Sequence, residues 1–131
     1  MNTFRRSGVN FNIINELPQE VEDKFLTTLN EFLQSGNDFD RIDNILNYIA
    51  GGACGRVYDL GNGFILKINR FTWSSNTPDG DILRDLQGVP MIPKLYWYSE
   101  DNRFIIIQKI DGVTTGTYTG QFTFQKDWEE Q

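Results

Sequence analysis

The sequence contains no histidine and a single cysteine, Cys54. A cysteine without histidine makes neither a Cys/His nucleophile nor a structural zinc centre, and alone it forms no intramolecular disulfide. One cysteine fits an intracellular chain, or one carried inside a virus particle, better than a secreted, disulfide-stapled one. Long apolar runs are missing, and the opening Met1-Asn2-Thr3-Phe4-Arg5-Arg6 carries charge with no apolar core behind it. Neither a membrane span nor a signal peptide is therefore expected. Basic charge is scarce: 12 Lys and Arg against 18 Asp and Glu leave a net charge of −6 with no basic stripe, which speaks against nucleic-acid binding. The acids show no metal-binding spacing either. Glu20-Val21-Glu22-Asp23 and Asp38-Phe39-Asp40 read as a solvated helix face and a loop, with no D-x-D-x-D-G pattern and no converging carboxylate pair.

What is present is apolar and aromatic. With 131 residues, 39% hydrophobic and 14% aromatic, the chain can bury the core of one compact domain. Residues 1–16 are irregular and read as loop or short strand. Pro18 then opens a helix to about Gln34, in which Val21, Phe25, Leu29, Phe32 and Leu33 recur at helical spacing and Gly36 supplies the stop. Such a stripe packs on its own domain more often than on a partner. Residues 44–50 and 56–60 read as a hairpin, Gly61-Asn62-Gly63 as a tight turn, and 64–68 as the next strand. After a loop over 71–80 and a short helix over 80–87, strands are expected over 94–100 and 104–110, turned at Asp101-Asn102. The tail from Thr114 has Phe122 and Phe124 in alternation, and these with Trp128 are candidates to cover the sheet together with Val21, Phe25 and Phe32. The fold class expected is α+β: a twisted antiparallel sheet of about five strands and one short helix, preceded by an amphipathic helix.

Residues 50–70 carry the most specific pattern, Ala-Gly-Gly-Ala-Cys-Gly-Arg-Val-Tyr-Asp-Leu-Gly-Asn-Gly-Phe-Ile-Leu-Lys-Ile-Asn-Arg. It is a glycine-rich turn between apolar strands, followed by a strand with one lysine. Glycines let backbone N–H groups approach phosphates closely. This stretch resembles the nucleotide-binding hairpin of protein kinases: Ala50, Gly52 and Gly55 fall on the three positions of the G-x-G-x-x-G turn, Val57 follows where an adenine is covered, and Lys67 falls on the strand lysine. Ile82-Leu83-Arg84-Asp85-Leu86 and Ile92-Pro93-Lys94-Leu95-Tyr96 resemble the end of the family's αC helix and its fourth strand. Phe104 to Gly112 resembles the fifth strand and hinge. The resemblance implies a kinase-like small lobe over 41–131 with a short tail, after an N-terminal extension over 1–40. It implies a nucleotide site at Gly52, Ala53, Cys54, Gly55, Val57 and Lys67, with backbone groups of Lys109 and Ile110 facing the adenine and ATP with Mg²⁺ as the ligand. Asp79 takes the position of the αC glutamate that pairs with the lysine.

The departures set the functional expectation. The first glycine of the turn is Ala50, the acid is one methylene short between Pro78 and Gly80, and Ile65 replaces the small residue beneath the adenine. Phosphoryl transfer in kinases needs an aspartate from H-R-D and another from D-F-G. Neither motif is in this sequence, and neither is A-P-E. The expectation is a pseudokinase-like interaction module without catalysis, bound to a protein partner or to itself. The alternatives are an assembly component of a phage or other large complex, and the ATP-binding half of a split or truncated kinase.

Overall fold

A computed structural model describes residues 2–52, 55–69 and 79–109. It is α+β, with one antiparallel sheet of seven described strands and three described helices. The first two strands, β1 (Asn2–Arg6) and β2 (Val9–Ile13), are a hairpin closed by Ser7 and Gly8, both at positive φ. Two residues of this kind match the right-handed twist of the strands they join. The irregular N-terminus expected from the sequence is thus part of the sheet, which exceeds the expected five strands by this hairpin.

Helix α1 (Gln19–Gln34) begins where the sequence indicates: the Pro18 carbonyl accepts from the amides of Val21 and Glu22 at 3.0 and 2.9 Å. Proline suits this boundary because its missing N–H would have no partner there. The helix ends as Gly36 takes φ +75°, while Asn37 N–H reaches the Phe32 carbonyl and Gly36 N–H that of Leu33. Glycine adopts this left-handed turn without a Cβ clash. A second helix, α2 (Phe39–Asp43), stands where a loop was expected; the Asp38 side chain caps it by accepting from Asp40 N–H at 3.0 Å.

Strands β3 (Asn47–Gly52), β4 (Gly55–Gly61) and β5 (Phe64–Asn69) form a meander, the second turn made by Asn62 and Gly63 at φ +55° and +87°. Helix α3 (Asp79–Asp85) leads to β6 (Leu95–Ser99) and β7 (Phe104–Gln108), and the strand order is β1-β2-β6-β7-β5-β4-β3. The last strand is inserted beside β5, so β5 and β7 are central and buried on both faces. That is why both read as continuous apolar runs rather than alternating ones.

Period-two side chains divide the core between the two faces. Leu66, Ile68, Phe104 and Ile106 point to one face, where α1 lays Val21, Phe25, Leu29 and Phe32. Rings dominate this side: Phe25 meets Phe11 edge-on at 5.4 Å and Trp97 at 6.1 Å. Ile65, Ile105 and Ile107 point to the other face, with Val57, Leu83, Leu95 and Tyr98. A bulge between Leu95 and Trp97 explains how these two, nominally in phase, reach opposite faces. No described helix is long and apolar enough to cross a membrane.

Candidate functional site: the glycine hairpin and the buried lysine

The glycine hairpin is closed by pairing of Gly52 with Gly55. Ala53 and Cys54 at its tip lie outside the described residues. Two of its glycines answer a packing need. A Cβ on Gly55 would run into the carbonyl oxygen of Ile68 and the Cα of Asn69, so β4 starts closer to β5 than a side chain permits. A Cβ on Gly51 would meet the hydroxyl of Tyr48.

Lys67 lies on β5 opposite Val57 on one side and Ile105 on the other, and Ile105 in turn faces Tyr98 of β6. Val57, Lys67, Ile105 and Tyr98 therefore form one row across four strands, with neighbours about 5 Å apart. Lys67 is 4% exposed and the three others 1% or less. A buried ammonium is costly unless its N–H groups are met, so this position is a demanding one for lysine. Ile65, on the same face two residues earlier, is fully buried in the cluster with Val57, Ile105 and Ile107. Val57 and Ile65, the side chains expected to flank an adenine, are thus both buried.

Helix α3 is fixed to this face by contacts the sequence did not single out. Gly80 lies so close to Tyr98 that a Cβ would enter the tyrosine ring and the side-chain oxygen of Asn102. The short helix expected from Gly80 starts one residue earlier, at Asp79, and tight docking outweighs glycine's poor propensity. Asp81 forms the polar network: Tyr98 OH donates to its carboxylate at 2.9 Å, Asn102 Nδ2 at 3.2 Å, and its own N–H donates to Asn102 Oδ1 at 3.0 Å. Arg84 donates to Tyr98 OH at 2.7 Å. Burial, reinforced by Asp81, pushes the Tyr98 phenol from 10.0 up to about 12. Asp81 sits two positions from the acid the kinase pattern indicated. Its signal was local: an acid followed three residues later by Arg84, a spacing that brings side chains together on a helix.

At the expected hinge, Lys109 N–H donates to the Gly63 carbonyl at 2.9 Å, and its ammonium pairs with Asp59 at 3.1 Å. Its amide is committed to the β4–β5 turn. Ile110 lies outside the described residues. Asp40, read as a loop residue, pairs with Arg56, which also binds Asp43, and Tyr58 OH donates to Asp43 at 2.7 Å. Together these bonds clip α2 to the sheet. No protein-family model, curated protein or solved structure matches the chain.

Proposed function

We propose that the chain is a catalytically incomplete, kinase-like small lobe that works as a protein-binding or regulatory module. One observation carries this reading: Lys67 stands on the second strand after the glycine turn, on the face that α3 packs, yet Val57, Ile65, Ile105 and Ile107 around it are buried. The order of glycine hairpin, lysine strand, helix and two further strands supports kinase-like descent. The filled face supports loss of the nucleotide space. Without H-R-D or D-F-G, no group in the sequence takes the roles of positioning the nucleophile or holding the metal as those motifs do.

A second reading, the ATP-binding half of a split kinase, is favoured by the lysine itself, because an apolar residue would occupy so buried a position more cheaply. Thermal unfolding with and without millimolar ATP and Mg²⁺, repeated with Lys67→Ala, separates the two. A ligand that binds only the folded chain stabilises it by about 2.7 kcal/mol at a hundred times its dissociation constant. The binding-module reading expects no shift. A shift that vanishes in Lys67→Ala overturns it in favour of the split kinase.

A further inference from the structure

Asn62 is the only asparagine in the sequence that glycine follows. After every other asparagine the next residue carries a Cβ, which crowds its backbone nitrogen; glycine leaves that nitrogen open to the preceding side chain. Asn62 and Gly63 make the two-residue turn between β4 and β5, flanked by the paired Gly61 and Phe64. Positive φ at both positions, +55° and +87°, is what such a turn demands and what Asn-Gly supplies. Both residues are exposed, and a Cβ built on Gly63 would meet nothing within 4 Å, so water and base reach the pair freely. Among the described residues, no side chain partners the Asn62 amide. The turn also holds something in place. The Gly63 carbonyl accepts from Lys109 N–H at 2.9 Å, just past the end of β7, and the Lys109 ammonium pairs with Asp59 at 3.1 Å. Asp59 in turn accepts from Gly61 N–H at 2.7 Å. One carbonyl in the turn therefore helps to fix where β7 ends on the sheet.

We propose that Asn62 is a modification site, at which spontaneous deamidation turns the Asn62–Gly63 link into an isoaspartyl link and releases the end of β7. The Gly63 nitrogen attacks the side-chain carbonyl carbon of Asn62 and gives up its proton. The bond from that carbon to the side-chain nitrogen breaks, ammonia leaves, and a five-membered succinimide remains. Water then adds to either ring carbonyl. Opening at the backbone carbonyl leaves isoaspartate, with the main chain running through the former side chain; opening at the other leaves aspartate. Water is the only co-reactant. Isoaspartate adds one backbone atom to a turn whose two residues set the register of the strands it joins, and so draws the Gly63 carbonyl away from Lys109 N–H. It also adds a carboxylate to a hairpin that already places Asp59 against Lys109.

Incubation of the folded full chain in mildly alkaline buffer, followed by peptide mass mapping and isoaspartyl methyltransferase labelling, tests the site. A free peptide of residues 58–67 is the positive control. The expected result is the mass gain of an amide become an acid at Asn62 ahead of every other asparagine, with isoaspartate exceeding aspartate. The modified chain, separated by ion exchange, should exchange its Lys109 amide at least about tenfold faster than fresh chain, the worth of one hydrogen bond. Asn62→Gly, which tolerates the same positive φ, should keep that protection through the incubation. Fresh Asn62→Asp carries the new charge without the added backbone atom and should stay close to the unmodified chain. The site is overturned if Asn62 stays intact while the peptide reacts, or if another asparagine reacts first. Release of β7 is overturned if the modified chain protects Lys109 as before, or if fresh Asn62→Asp exchanges as fast as the modified chain.

Discussion

Gly80 is a residue at which helix propensity and packing give opposite signs. In an exposed helix, alanine is better than glycine by about 1 kcal/mol. Here the added Cβ would enter the ring of fully buried Tyr98. Overpacking of this kind costs about 1–3 kcal/mol, so Gly80→Ala is expected to lower stability in urea unfolding. Tyr98 makes a second prediction. Unfolded, its phenol ionises near 10; folded, it holds its proton to about 12. Between those values the unfolded chain has lost a proton that the folded chain keeps, so stability falls as pH rises through this window. Burial also raises Tyr58, beyond that range, and adds a loss of the same sign. Tyr98→Phe should therefore flatten, without abolishing, the alkaline decline in urea midpoint. It should cost about 1–2 kcal/mol at neutral pH through the bonds to Asp81 and Arg84. Lys67 was legible in the sequence because a single charge interrupts an apolar strand. Asp81 showed only its spacing to Arg84, because its other partners, Tyr98 and Asn102, are far along the chain.

At the scale of elements, legibility followed length and periodicity. α1 is long enough for five apolar positions to define a face, and Val21, Phe25, Leu29 and Phe32 of that stripe are buried against the chain's own sheet. α2 has five residues, too few to show a helical period, and its evidence is the Asp38 cap, which in sequence looks like loop chemistry. The β1–β2 hairpin was obscured by Asn10 and Asn12, which β propensity disfavours, and by a Ser-Gly turn weaker than the usual Asn-Gly signal. Phe11, fully buried against Phe25 and Trp97, holds that hairpin to the rest. Phe25→Ala therefore removes the ring at which hairpin, helix and central sheet meet. A loss of about 3–5 kcal/mol is expected from equilibrium urea denaturation. Leu26→Ala, one position round the helix at a partly buried residue, should cost clearly less.

For the whole molecule, the sheet has apolar side chains on both faces, and residues 1–40 supply much of the cover on one of them. Val21, Phe25, Leu29 and Phe32 lie over Leu66, Ile68, Trp97, Phe104 and Ile106, while β2 adds its backbone to β6. A chain beginning at residue 41 would lose the covering of those five side chains and the strand that pairs with β6 at once. Its central strands would then be apolar on a face open to water, with β6 as an unpaired edge, a combination that favours association through strands and patches. The expected outcome is that the 41–131 fragment lacks the near-ultraviolet circular dichroism of a packed core and elutes as aggregate, whereas the full chain unfolds in one cooperative step. Coincidence of far- and near-ultraviolet transitions in urea checks the second half of this expectation. If the 41–131 fragment proved monomeric and cooperatively folded, the sheet would have to be stable with its α1 face bare. The ring contacts of Phe11, Phe25 and Phe32 with Trp97 and Phe104 would then have to be accessory, against the cost expected for Phe25→Ala.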